Sequence, residues 1–203
     1  MGAPTSEKHR GLRLFLLDGV LWNISESFIL SYQTLYMLAL GATTAQIGQM
    51  TAVINLAGAA ALMPGAWVSE LFGRRKTLIT VFGGVVSRLP LLLLALLPFA
   101  FSGQAAIYAA IGLLALRTFG DNFAKPAWTS FTADLIPLRL RGSYFSTRNF
   151  AMAAAAFVTV PAFGVLIRNM GGLTGYQVSW LLVFIAAAAS ATAFAFIKDA
   201  PST

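Results

Sequence analysis

The sequence predicts an all-α membrane protein with six transmembrane helices. Composition is the first observation behind this: 58% of the 203 residues are hydrophobic and only 10% are charged. A soluble domain carries about 25% charged residues, so this chain could not cover a water-facing surface. The second observation is length. Apolar runs of the size needed to cross a hydrocarbon core, about 20 residues, recur along the chain. The third is pattern. Backbone polar groups in lipid must be satisfied within the protein, so spans this long are helices. The short alternating segments of a β-barrel do not occur in the sequence.

The elements follow in order. Residues 1–11 form a polar, basic tail that holds the single histidine, His9, which reads as solvated. The apolar run from Leu12 to Leu40 exceeds the roughly 7–15 residues of a signal-peptide core. It is the first span, at about 12–38. The others are expected at 45–68, 77–99, 104–125, 146–167 and 177–197, making one six-helix domain over 1–203. Gly41 to Thr44, Ser102-Gly103 and Gly171 to Gly175 mark breaks. The longest polar stretch, Lys125 to Arg148, follows the fourth span.

Lys and Arg decide the orientation. Lys8, Arg10 and Arg13, then Arg74, Arg75 and Lys76, then Arg139, Arg141 and Arg148, and finally Lys198 lie on one side; the other side has Arg168. Positive charge stays cytoplasmic, so a cell-membrane protein with both termini inside is expected. Aromatic residues at span ends agree: Trp67, Trp128 and Tyr144 inside, Tyr36, Tyr108 and Trp180 outside. The net charge of +7 therefore reads as topology and not as a nucleic-acid surface. The absence of Cys excludes disulfides and thiolate metal sites. The sequence offers no phosphate loop, metal cluster or nucleophile–base pair, so neither an enzyme nor a bound cofactor or metal is expected.

Ionisable residues within spans are the functional candidates, because each costs about 2.5–3.5 kcal/mol to insert at a helix centre. The first span holds Asp18 and Glu26. At about 100° per residue, Asp18, Trp22, Glu26 and Gln33 fall within roughly 80° of one another. The fourth span holds Arg117 and Asp121 one turn apart, with Lys125 and Trp128 continuing that face. Glu26 is either a proton- or substrate-binding carboxylate or half of a structural ion pair with an Arg. Arg117 is either an anchor for an anionic group or a packing partner of Asp121 or Glu26. Asp18, nearer the cytoplasmic end, reads as structural. Arg88, beside Pro90 in the third span, needs a partner or an aqueous pocket. Small-residue runs at Ala57 to Ala61, Ala153 to Ala156 and Ala186 to Ala189 permit close helix approach.

Two loops resemble a known family. Gly65 to Lys76 resembles the G-x-x-x-D-x-x-G-R-R/K signature between helices two and three of the major facilitator superfamily (MFS) of transporters. Glu70, Gly73, Arg74 and Arg75 match; Ala66 stands in the leading Gly position and Gly65 comes one residue early. Ala133 to Pro137, followed by Arg141 to Phe145, resembles the acidic-Pro and Arg-Gly segment that joins helices four and five in the same superfamily. A weak internal match, Pro64 to Val68 against Pro161 to Val165, fits a 3+3 inverted repeat.

The resemblance implies the N-terminal six-helix half of a twelve-helix fold. Helices one and four would line the central cavity, placing Asp18, Glu26, Gln33, Arg117 and Asp121 along a substrate or ion path. The Glu70, Gly73, Arg74 and Arg75 loop would latch two halves on the cytoplasmic side. The expected function is secondary transport of a small molecule by one half of a two-half assembly. The alternative is a non-transporting scaffold, assembly factor or fragment built on such a half. Expected partners are the lipid bilayer, a small-molecule substrate with a coupled proton as a candidate, and a second half, either another copy or a separate chain.

Overall fold

The computed structural model describes residues 5–73, 75–136 and 138–197. Arg74, Pro137 and Lys198, all named above, lie outside the described residues, as do the side chains of Lys8, His9 and Arg10. The chain is all helical: α1 (Thr5–Ala39), α2 (Thr44–Phe72), α3 (Arg75–Leu78), a π-helical segment (Ile79–Val86), α4 (Leu89–Ala100), α5 (Gly103–Leu135), α6 (Leu138–Met170) and α7 (Gly172–Ala195). Among the described residues, 5 helical stretches are long and apolar enough to cross a membrane; α5, which carries Arg117, Asp121 and Lys125, falls outside that set.

Three helices run well past their expected ends. The polar stretch from Lys125 to Arg148 is not a loop, because α5 continues to Leu135 and α6 starts at Leu138. Hydropathy marks the part of a helix that sits in lipid, whereas the backbone hydrogen bonds carry the helix on into water. At 1.5 Å per residue α5 is about 50 Å long, well beyond a hydrocarbon core of about 30 Å.

Local chemistry explains the ends. Thr43 and Gln46 form a capping box at the start of α2: Gln46 N donates to Thr43 Oγ1 (3.3 Å) and Thr43 N to Gln46 Oε1 (2.9 Å). Gln46 Nε2 then donates to Gln104 Oε1 at 2.5 Å, tying this turn to the start of α5. α2 ends at Gly73, whose φ of 60° is the left-handed cap that glycine adopts without strain.

The third span is one helix by hydropathy but not by backbone. Ser87 N bonds Phe82 O at 2.9 Å, a five-residue spacing, and Arg88 N bonds Val85 O at 3.2 Å. Pro90 restarts the helix in the first turn of α4, where its missing N–H costs nothing. The widened turn lies directly on α5. A Cβ at Gly120 would sit 2.9 Å from both Phe82 O and Ser87 N.

The helices form two clusters with a cleft between them. In one, α2 packs along α5 and the π segment also lies on α5; in the other, α1 packs on α6 and α7. α4 bridges them by touching both α5 and α7. α1 is pinned by side chains that donate to helix carbonyls: Asn23 to Met152 O (2.7 Å), Ser25 to Val183 O (3.0 Å), Tyr32 to Val160 O (2.7 Å) and Tyr36 to Leu94 O (2.9 Å). The last has a clear cause. Pro98 removes the N–H that would have bonded Leu94 O, and the Tyr36 hydroxyl supplies the missing donor. Tyr36 and Trp180, read as aromatics at outer span ends, thus turn into the protein and not toward lipid. Both are 0% exposed, packed edge-on at 5.6 Å in the core.

Candidate functional site

Between the two clusters lies a cavity of about 460 Å³, within the size range of small-molecule sites. The helix spacing places its walls. Asp18, Trp22, Glu26 and Gln33 of α1 all line it, as the angular stripe requires, and Arg117, Asp121, Lys125 and Trp128 of α5 face them. α2 contributes Asn55, the π segment Thr80, Gly83 and Gly84, α6 Arg148, and α7 Ala191 and Phe194.

The centre of the site is Arg117, which is buried at 8% exposure. Its Nη2 pairs with Glu26 Oε2 across the cleft and, at 3.0 Å, with Asp121 Oδ2 one turn along its own helix. One guanidinium therefore joins two carboxylates from two helices. Asp121 accepts a further bond of 2.6 Å from Ser87 Oγ at the end of the π segment. A second group lies nearby: Ser190 Oγ donates to Asp18 Oδ1 at 2.7 Å and accepts from Arg88 Nη2 at 3.1 Å. Arg88 also donates through Nε to Ala187 O at 2.5 Å. The partner that Arg88 needs is thus on α7, and the residue also reaches the cavity.

Arg148 overturns its assignment as a loop charge. It lies inside α6 at 6% exposure, and its guanidinium carbon is 4.7 Å from the Phe15 ring and 5.7 Å from that of Trp128. Such stacking suits a cation removed from water. Gly19 makes the space, since a Cβ there would collide with the Arg148 guanidinium. Sequence reasoning also passed over Asn55, Thr80 and Asn122. Single uncharged polar residues on separate helical segments carry no signal until the packing shows which face is inside.

Basic residues outside the cavity also have defined partners. Arg75 Nη1 pairs with Asp134 Oδ2 at 2.7 Å, so the two family-like loops meet. Lys76 Nζ donates to Ile197 O at 2.6 Å, and Arg141 donates to Ile136 O (3.0 Å) and to Ala133 O, capping the C-terminal carbonyls of α5. Glu70 is exposed, and no ion pair of it occurs among the described residues.

A metal-binding cluster of His, Cys, Asp or Glu does not occur among the described residues. Comparisons with curated proteins and with solved structures give no match. The family profile of the Major Facilitator Superfamily, by contrast, matches residues 15–203. With that match over nearly the whole chain, a helical bundle long enough to span a bilayer and a charged cavity at its centre, the protein belongs to the Major Facilitator Superfamily and is a multi-pass membrane transport protein, not an enzyme.

Proposed function

We propose that this chain is a secondary transporter for a small molecule and works as one six-helix half of a two-half assembly, with Asp18, Glu26, Gln33, Arg117 and Asp121 on the path. The observation that carries the reading is Arg117 held between Glu26 and Asp121 at the wall of the cavity. Charges in a bilayer are costly, and their common use is to mark a substrate or proton pathway. Here they join the two helix clusters, so a change of protonation or ligand at this point acts on the contact between clusters.

The neighbour pattern supports a 3+3 repeat of six spans. Exchanging the first three spans with the last three turns the α2–α5 contact into the α6–α1 contact, and the α1–α7 contact into that of α5 with the third span. The charge bias supports cytoplasmic termini. Reporter fusions should place the turn at Gly171 to Gly175 outside; a cytoplasmic signal there would overturn the topology.

Transport requires that the cavity open to both sides of the membrane. The native chain has no Cys, so Asn55→Cys gives a single thiol in the cavity. An impermeant maleimide should label it from either side of oriented vesicles. Labelling from one side only, under every gradient applied, would favour a non-transporting scaffold.

A further inference from the structure

The charges of the cavity do not balance, and the imbalance has a location. Three carboxylates line it: Asp18, Glu26 and Asp121. Four cations face them: Arg88, Arg117, Lys125 and Arg148. Glu26 and Asp121 share Arg117. Asp18 takes its hydrogen bond from Ser190, which also accepts from Arg88, and Arg148 rests on two aromatic faces. Lys125 is left over. It is exposed to the cavity and makes no ion pair and no side-chain hydrogen bond among the described residues. It is not at the tip of its helix: α5 continues for ten residues beyond it to Leu135.

Resting on the cavity as the substrate path, we infer that it takes a small organic monoanion, with the acidic group on the Lys125 ammonium and the body against Trp22 and Trp128. The chemistry follows from what is already satisfied. The single positive charge of Arg117 is already met by two carboxylates, both through Nη2. Lys125 has three free donors and, as a flexible point charge, can meet a carboxylate or a sulfonate alike. One negative charge per chain brings the seven lining charges of this half to neutrality, which is favoured the more the site is shielded from water. A cationic ligand would add to the excess. A neutral ligand would leave it uncompensated. Trp22 stands one turn from both Asp18 and Glu26 on α1, and Trp128 stands three residues from Lys125 on α5. Both indoles line the same cavity as Lys125, one from α1 and one from α5.

Three ring compounds of matched size separate the cases: benzoate, benzamide and benzylammonium. The readout is their protection of a single cysteine, Thr118→Cys, from a maleimide in membranes that hold the full chain. Benzoate should protect, and the other two should not at equal concentration. Lys125→Gln should raise the benzoate concentration needed by about tenfold or more, whereas Lys125→Arg should restore it. Because Lys125 is exposed, both variants should fold, and labelling of Thr118→Cys without ligand checks this. Equal protection by benzamide or benzylammonium, protection unaffected by Lys125→Gln, or no protection by benzoate would each overturn the anion site. Uptake of labelled benzoate into vesicles is read separately. Protection without uptake would keep the anion site and count against transport; uptake without preference for the anion would do the reverse.

Discussion

At the scale of the residue, the site turns on how each charge is compensated. Arg117 neutralises two acids, so its loss differs in kind from the loss of either acid. Arg117→Gln leaves Glu26 and Asp121 without a cation at bilayer depth. Breaking a buried pair in this way costs about 3–5 kcal/mol, and the side chains are only 10% and 22% exposed in the Arg117–Glu26 pair. Glu26→Gln leaves Arg117 paired with Asp121 and should cost much less. Thermal unfolding in detergent, followed by size-exclusion chromatography, should rank Arg117→Gln far below Glu26→Gln; equal melting temperatures would show that water inside the cavity screens these charges. The pair of Arg75 with Asp134 is a different case. Its side chains are 43% and 52% exposed, where ion pairs contribute about 0–1 kcal/mol. Arg75→Ala should therefore leave melting nearly unchanged. If the loop is a latch, that variant and Gly73→Val should slow the exchange of Asn55→Cys between inward and outward labelling; unchanged exchange would leave the loop with topology alone. Arg117 and Asp121 were legible in the sequence from their one-turn spacing. The partners of Arg88 were not, because they are a backbone carbonyl and a serine hydroxyl on α7, groups too common in a helix to stand out in a sequence.

At the scale of the element, glycines set how closely helices approach. Gly65 faces α5 so tightly that a Cβ there would collide with the Phe123 carbonyl. The carbonyl belongs to helix backbone and cannot swing aside. This gives a reason for the shifted signature: Gly65, not the following Ala66, makes the close contact. Gly112, on α5 itself, has open space where a Cβ would stand, with no neighbouring atom within 4 Å. Gly65→Ala should lower the melting temperature and the folded yield. Gly112→Ala should raise stability by up to about 1 kcal/mol through helix propensity alone. Opposite signs for one chemical change would establish that α2–α5 contact, not flexibility, is what Gly65 provides; matching signs would refute it. The spans themselves were legible because hydropathy reports insertion in lipid. Their true ends and the π segment were not. Polar turns that extend a helix into water look like loop, and the widened turn at Ile79–Val86 depends on Gly120 of another helix.

At the scale of the whole molecule, two helices stand out for how little of them is covered. Only 17% of the apolar window of α2 and 6% of that of α6 is buried, against 33% for α1 and 39% for α7. Their outer faces are regular stripes: Leu56, Ala60, Met63 and Trp67 on α2, and Phe150, Ala154 and Phe157 on α6, with Met63 and Phe157 each 82% exposed. Lipid alone could cover both stripes. Their position argues for protein, because α2 flanks the cavity on the α5 side and α6 flanks it on the α1 side. A two-fold axis along the membrane normal, with two cavities facing, brings α2 of one copy against α6 of the other and encloses one shared path. Dispersion between the two stripes would hold that contact, with Ala60 and Ala154 as their small positions, since hydrophobic burial gives no drive between helices in lipid. The cysteines that test it belong on the exposed stripes. Ala57 and Ala155, inside the small-residue runs, are half-buried against their own bundle, whereas Ala60 and Ala154 are exposed. A chain carrying both Ala60→Cys and Ala154→Cys should form a cross-linked dimer in native membranes on mild oxidation, and each single variant should cross-link poorly, because the contact joins unlike helices. Efficient cross-linking by Ala60→Cys alone would mean a different axis. No cross-link in any variant, with a monomer mass in detergent and in lipid, would refute the homodimer and leave a separate partner or a non-transporting fragment.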